Sequence, residues 1–145
     1  MFIDASAIVA ILNGEPEGDA LVSCIESASE ALMFSPLVRF EAIVSLARAG
    51  THGARLTAET LARASAAVDL FLEEIEAAEV IVTPEIGRLA VDASARFGKV
   101  VGHPAALNFG DCFAYACARR HEQALLFIGG DFSKTDLASA LNAAP

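Results

Sequence analysis

The sequence predicts an α/β fold in which a parallel sheet is covered by helices on both faces. Short runs that are apolar throughout alternate with longer runs whose apolar residues recur every three or four positions. The short runs show no apolar–polar alternation, which is typical of strands buried on both faces. The chain has 145 residues and a hydrophobic content of 54%, enough for one domain, residues 1–145, with a sizeable core.

The elements follow from this alternation, read in chain order. In the first half we predict a strand at 2–3, helices at about 5–12 and 18–29, a strand at 31–35, and helices at 36–50 and about 58–78. In the second half we predict a strand at 80–82, a helix at 84–97, a loop over 98–108, a helix at about 110–121, a strand at 124–128, a turn over 129–136 and a short helix in the tail DLASALNAAP.

Capping residues support the helix starts. Ser35 precedes Pro36, and Thr83 precedes another proline, which the first turn of a helix tolerates. Thr57 and Asn108 also stand where an N-cap is expected.

Composition excludes several classes of protein. The three cysteines form no CxxC pair and lie in apolar surroundings, so we expect them to be core residues rather than disulfide or zinc ligands. Apolar runs are too short for a membrane span, and no basic segment precedes the first one, so we expect a cytoplasmic protein with no membrane partner. The net charge of −9 argues against tight binding of a nucleic-acid backbone and fits binding of divalent metal ions or a basic partner.

One acidic residue stands directly after the first strand, in MFIDASAIVAIL. An unpaired carboxylate is costly to bury, so Asp4 must reach water or a cation. In parallel sheets, ligands bind beyond the carboxyl ends of the strands. Asp4 therefore marks the expected position of a site.

Further acids stand at similar places. Glu41 shares the apolar face of its helix, Asp111 opens the helix in NFGDCFAYACA, and Asp131 and Asp136 follow the last strand in LLFIGGDFSKTD. Each has a structural alternative: an ion pair of Glu41 with Arg39 or Arg48, or helix capping and turn chemistry for the aspartates.

Taken together, the acids suggest a metal site. Several carboxylates in one cleft repel each other unless a cation holds them, and oxygen ligands favour Mg²⁺ or Mn²⁺. Such ions activate water and stabilise charge on a phosphoryl group, which indicates a phosphodiesterase or phosphohydrolase. Three histidines, His52, His103 and His121, fall on turns or helix ends, where we expect structural or solvated roles.

These motifs, in this order and over essentially the whole chain, resemble the PIN-domain ribonucleases, and more narrowly the VapC toxins of bacterial VapBC toxin–antitoxin modules. The resemblance implies a three-layer α/β/α sandwich with a central parallel sheet. It also implies an acidic cluster for Mg²⁺ or Mn²⁺ made of Asp4, Glu41, Asp111 and Asp131, with Asp136 as the alternative fourth acid and Ser6 near the site. The fifth strand usual in the family is not evident in the tail.

The resemblance further implies an endoribonuclease toxin that hydrolyses RNA, such as tRNA, with metal-activated water. A VapB-type antitoxin would neutralise it, with its helix in a groove of the hairpin formed by helices 37–49 and 58–78, and the toxin would form a homodimer. For an acidic chain, the positive potential for RNA would come from a few basic side chains: Arg39, Arg48, Arg119, Arg120 and Lys134.

Two other classes remain as alternatives. A phosphohydrolase on another α/β scaffold, with Asp4 as nucleophile, calls for a second acid two residues later, where Ser6 stands, and for a well-placed lysine; only Lys99 and Lys134 are present. A catalytically silent binding module, whose acids only cap helices, predicts no response to metal ions.

Overall fold

A four-stranded parallel sheet forms the centre of the protein, with helices packed on both faces to give three layers. The computed structural model describes residues 1–51 and 53–141. The elements are β1 (Phe2–Ile3), α1 (Ala5–Leu12), α2 (Gly18–Glu26), β2 (Met33–Phe34), α3 (Pro36–Gly50), α4 (Ala58–Glu74), β3 (Ala78–Glu79), α5 (Pro84–Phe97), α6 (Phe109–Arg120) and β4 (Leu125–Leu126), with 3-10 turns at Lys99–Val101 and Phe132–Lys134.

The strand order is β3-β2-β1-β4, and every pairing is parallel. Phe2 and Ile3 are fully buried at the centre of the sheet, where Leu125 and Leu126 flank them. Strands with two apolar faces read as continuous apolar runs, which explains why these segments lack alternation. The predicted α/β class and parallel sheet are confirmed.

The predicted helix starts are also confirmed. Ser35, Thr57, Thr83 and Asn108 each accept a hydrogen bond at the N-terminus of the helix that follows. All three cysteines are buried, with free thiols, as expected of core residues. Among the described residues, no helix is both long enough and apolar enough to cross a membrane.

The third strand lies earlier than predicted. We expected it at residues 80–82, but β3 comprises Ala78 and Glu79, and helix α4 ends at Glu74 rather than near residue 78. The register explains the shift, because Met33 and Phe34 of β2 pair with Ala78 and Glu79. Only the Val80 N–H continues the pairing, to the Phe34 carbonyl at 2.8 Å, and the chain then leaves this edge of the sheet.

The tail also differs from the prediction. In place of the expected helix, Ser139 forms a parallel bridge with Leu125, and the Ala140 N–H donates to the Leu125 carbonyl at 2.9 Å. This segment takes the position of a short fifth strand beside β4, because the edge of β4 offers unpaired backbone groups that an alanine-rich tail can satisfy. The end of the predicted tail helix, residues 142–145, lies outside the described residues. Helix α2 is also shorter than predicted and ends at Glu26.

Candidate active site

The order of the strands creates a crevice at the carboxyl ends of the strands, between β1 and β4. The chain runs from β1 to β2 and β3 in one direction and then returns to place β4 on the other side of β1. Parallel sheets bind ligands where the strand order reverses in this way, beyond the carboxyl ends of the strands. Asp4 follows β1 directly and therefore lies at this reversal point.

Asp4 is held in place by its helix and by a neighbouring serine. It is the N-cap of α1 and only 5% exposed. The Ser6 N–H and hydroxyl both donate to Asp4 Oδ2, at 3.0 and 2.6 Å. The Ser6 hydroxyl in turn accepts the Ile128 N–H at 3.1 Å. Ser6 thus joins Asp4 to the chain that leaves β4, which fixes the orientation of the carboxylate.

Glu41 approaches from helix α3 and contacts the beginning of α6. A Cβ atom at Gly110 would overlap Glu41 Oε2 and would lie 3.0 Å from the Glu41 carboxyl carbon. Only a glycine at position 110 therefore lets the carboxylate come this close to α6. The sequence analysis missed Gly110, although a glycine inside the first turn of a helix lowers helix stability and was a signal of close backbone approach.

Asp111 belongs to a capping box. The Asn108 N–H donates to Asp111 Oδ2 at 2.7 Å, and the Asp111 N–H donates to Asn108 Oδ1 at 3.1 Å. The capping interpretation is therefore correct. It does not exclude a second role, because the cap fixes the carboxylate at the positive end of the α6 dipole, beside the other acids.

The four acids, Asp4, Glu41, Asp111 and Asp131, influence one another electrostatically. Burial raises the pKa of Asp4, Glu41 and Asp111. The charges of Asp4 and Asp111 raise the pKa of Glu41 further, and those of Asp4 and Asp131 do the same for Asp111. Within the described residues, none of these four acids forms an ion pair. The proposed ion pair of Glu41 with an arginine is thus absent from this part of the chain.

The two acids after β4 have different surroundings. Asp131 is exposed and follows Gly129, whose φ of 102° requires glycine in this turn. Asp136 accepts the Tyr115 hydroxyl at 2.6 Å and the Arg96 guanidinium at 2.8 Å, and these hydrogen bonds lower its pKa. The charge of Asp131 raises the pKa of Asp111, whereas Asp136 is engaged by Tyr115 and Arg96. Asp131 therefore stays the preferred candidate for the fourth acid.

Most of the basic side chains considered for RNA binding are already engaged. Arg39 pairs with Asp69 at 2.6 Å, Arg120 pairs with Glu85 at 2.8 Å, and the Lys134 ammonium donates to a backbone carbonyl. Arg48 and Arg119 form no ion pair with any described residue. Of the five basic residues, Arg39 and Arg120 are neutralised by ion pairs, and Arg48, Arg119 and Lys134 keep their charge without an acidic partner among the described residues.

The histidines stay outside the cluster as far as they are described. His103 Nδ1 accepts the Ala105 N–H at 3.1 Å, and its ring packs edge-on against Phe97. His121 is the C-cap of α6. His52 lies outside the described residues.

The acids supply the right donor atoms for a divalent metal ion but are not gathered around one position. In the described part of the chain, no three His, Cys, Asp or Glu side chains are arranged so that they could hold a metal ion. The donors fit in chemistry, because Mg²⁺ and Mn²⁺ favour carboxylate oxygens. Hydrogen bonds fix the carboxylates of Asp4 and Asp111, whereas the Glu41 carboxylate lies against Gly110 at the end of a flexible side chain. A shared ion would therefore require the acidic side chains to move closer together than they stand here.

Comparison with known proteins identifies the class. The profile of the PIN domain matches residues 1–137, so the chain belongs to the PIN-domain family. A VapC ribonuclease of Rhizobium meliloti is 47% identical over 139 residues, which cover 94% of this chain and 98% of that protein. Ribonuclease VapC28 of Mycobacterium tuberculosis is 37% identical over 142 residues, 98% of each chain. Within the family, the chain therefore belongs with the VapC toxins.

A solved structure supports the fold. The crystal structure of Mycobacterium tuberculosis VapC20, described as a sarcin-ricin loop cleaving toxin, matches with a TM-score of 0.69 at 20% sequence identity. The match covers 94% of this chain and 95% of the other. The three-layer α/β/α arrangement implied by the resemblance is thereby confirmed.

Proposed function

We propose that this protein is a Mg²⁺- or Mn²⁺-dependent endoribonuclease and the toxin of a toxin–antitoxin module, acting on RNA in the cytoplasm. The observation that carries the proposal is the convergence of Asp4, Glu41 and Asp111 from β1, α3 and α6, with Asp131 nearby and no compensating basic side chain among the described residues. The membership in the VapC group supplies the substrate class.

The four acids would hold the metal, and three of them have a defined support. Ser6 orients Asp4, the capping box orients Asp111, and Gly110 lets Glu41 lie against α6. When bound, a divalent ion supplies Lewis acidity toward a phosphodiester oxygen and toward an attacking water. Asp4 and Asp111 stand at the N-termini of α1 and α6, where the helix dipoles offset part of the repulsion between the carboxylates.

The decisive experiment is cleavage of total RNA by the purified chain with Mg²⁺ or Mn²⁺, with EDTA, and with the Asp111→Asn variant. We expect metal-dependent cleavage by the wild type and a loss of at least about 100-fold in the variant. Asp19→Asn is the matched control, since Asp19 is also an aspartate in the first turn of a helix but is exposed on α2. Cleavage that persists in EDTA or in Asp111→Asn would contradict the proposal.

A silent binding module is the alternative that this experiment also tests. If the acids only cap helices, no RNA is cleaved, and Mn²⁺ does not change the thermal stability of the wild type. The Asp111→Asn variant then differs from the wild type no more than Asp19→Asn does. Metal-induced stabilisation of the wild type that is absent in Asp111→Asn excludes that alternative.

An antitoxin partner follows from the VapC membership. Helices α3 and α4 pack against each other as a hairpin, and a cavity of about 430 Å³ lies between them and the end of α1, lined by Leu46, Ala64 and Ala67 among others. This apolar groove suits an amphipathic helix of a VapB-type protein. Capture of the small protein encoded beside this gene should depend on the groove, and Ala67→Glu, at a half-buried position of its lining, should abolish it without loss of cleavage.

A homodimer is the remaining part of the proposal. Val91 on α5 and Val100 in the following turn are 71% and 82% exposed, and exposed apolar side chains close together are typical of protein interfaces. Light scattering after size-exclusion chromatography should give twice the 15.1 kDa of one chain, and Val91→Glu should reduce the mass to that of a monomer.

A further inference from the structure

An apolar pocket opens directly beside the four acids. Its volume is about 450 Å³, and α3 and the start of α6 line it. Glu41 and Gly110 belong both to the pocket and to the candidate active site. The pocket is therefore continuous with the place where a phosphodiester would react, and its volume suits one small planar group.

Two solvent-exposed phenylalanine rings line this pocket. Phe40 on α3 is 70% exposed and Phe109 at the start of α6 is 71% exposed. The Phe109 ring also packs against Phe113, with centroids 5.0 Å apart, so it is held in position. Exposed aromatic rings beside a nucleic-acid site act as platforms on which bases stack.

The charges at the pocket are arranged for a nucleotide. Glu41 stands at one end and Arg48 at the other, and seven residues of helix separate them by roughly 10 Å. Arg48 forms no ion pair with any described residue, whereas Arg39 on the same helix is paired with Asp69. Val44 and Ser45 lie between Glu41 and Arg48 on the helix, and Phe40 stands beside Glu41. Acids that would reach one phosphate through a bound cation, a largely apolar middle for a base and a guanidinium for a second phosphate match RNA better than protein.

We infer that this pocket binds an unpaired nucleobase of the RNA substrate, stacked on Phe40 and Phe109, while Arg48 contacts a neighbouring phosphate. The inference rests on the proposed function and deepens it. A base that is paired inside a helix cannot enter the pocket, so the substrate is single-stranded or has a splayed base at this position.

The test uses a single-stranded RNA oligonucleotide that carries 2-aminopurine, whose fluorescence falls on stacking. It is bound to the full chain carrying Asp111→Asn with Mg²⁺ present. We expect quenching, and we expect Phe40→Ala or Phe109→Ala to remove it and to weaken binding roughly 5- to 100-fold, the range typical of one base–aromatic stack. Phe40→Tyr should retain the signal, and Phe40→Leu should lose it, because leucine is apolar but not flat.

The control is Ile81→Ala, which removes another exposed apolar side chain, 80% exposed, on the segment after β3. It should leave quenching and affinity unchanged. Equal binding by the Asp111→Asn chain with and without either phenylalanine→alanine change would overturn the inference, as would equal binding of a fully paired RNA duplex.

The outcomes separate this inference from the proposed function. If RNA cleavage depends on metal but is unaffected by the two phenylalanine variants, the nuclease proposal stands and the base-pocket inference is wrong. If quenching depends on the two rings but no RNA is cleaved, the base pocket stands and the nuclease proposal is wrong. If the variants change the mass of the protein or its capture of the adjacent small protein, with RNA affinity intact, the pocket is a protein interface and the inference is wrong.

Discussion

Replacement of Gly110 by alanine should reduce activity without removing any acid. The added Cβ would coincide with Glu41 Oε2, and it would lie 3.0 and 3.2 Å from the other two carboxyl atoms. These atoms form the end of a flexible side chain, so the clash is relieved when the carboxylate moves by about 1 Å. Displacements of this size in an active site cost about 100-fold in rate, or about 2.7 kcal/mol in the barrier.

Stability should respond in the opposite direction. Alanine is more favourable than glycine inside a helix by roughly 0.5–1 kcal/mol. For 145 residues the unfolding entropy is about 0.3 kcal/mol/K, so this gain raises the Tm by about 2–3 °C. We therefore expect Gly110→Ala to lose about 100-fold in metal-dependent cleavage while its Tm stays equal to or above that of the wild type.

The assay is cleavage of RNA over a Mn²⁺ titration, together with a thermal melt of the same preparation. Gly87→Ala is the matched control, because Gly87 is helical and nothing lies within 4 Å of its would-be Cβ. It should gain stability and keep full activity. Full activity in Gly110→Ala, or a loss that accompanies a lower Tm, would refute the reasoning.

Three further predictions concern the acids and the edge of the sheet. Without metal, Asp111→Asn should have a higher Tm than the wild type, because burial and the charges of neighbouring acids raise the pKa of Asp111 and disfavour its ionised form. In Mn²⁺ at about 100 times its Kd, the wild type alone should gain about 2.7 kcal/mol of unfolding free energy, which corresponds to about 9 °C in Tm. Tyr115→Phe should cost about 1 kcal/mol in urea unfolding at pH 7, somewhat below the roughly 1.5–3 kcal/mol of a charged hydrogen bond, since Asp136 is 42% exposed. Because the pKa of Asp136 is lowered in the folded state, this stabilisation is fully present above the ordinary pKa near 4, and the difference from the wild type should shrink as the pH falls through the lowered pKa of the folded state. Ala140→Pro removes the N–H that bonds Leu125 and should destabilise the protein by about 1 kcal/mol or more, measured by the urea midpoint.

The buried acids have a cost to the fold that their arrangement partly offsets. Four carboxylates at one sheet edge repel each other, and at least three of them are also desolvated. Ser6, Asn108 and the N-termini of α1 and α6 compensate in part through hydrogen bonds and dipoles. A cluster that destabilises the protein without a cation is typical of a functional site rather than of a structural one.

The sequence by itself determined the fold class and the helix starts, and it singled out the acids that make up the candidate site. Apolar runs without alternation indicate buried parallel strands, and caps such as Ser35 and Asn108 act within four residues of chain, so local chemistry specifies them. Asp4 stood out for the same reason, as a charge directly after a buried strand. None of these inferences depends on which distant segments meet.

Tertiary structure decided everything that depends on segments distant in sequence. The register of β3 against β2 moved the third strand to Ala78–Glu79, and pairing with Leu125 gave the tail an extended form in place of a helix. The Tyr115–Asp136 contact, which sets Asp136 apart from Asp131, joins residues 21 positions apart. Gly110 acquires its role only because α3 brings Glu41 against it. Such contacts follow from packing and close approach in three dimensions, which no local pattern of residues encodes.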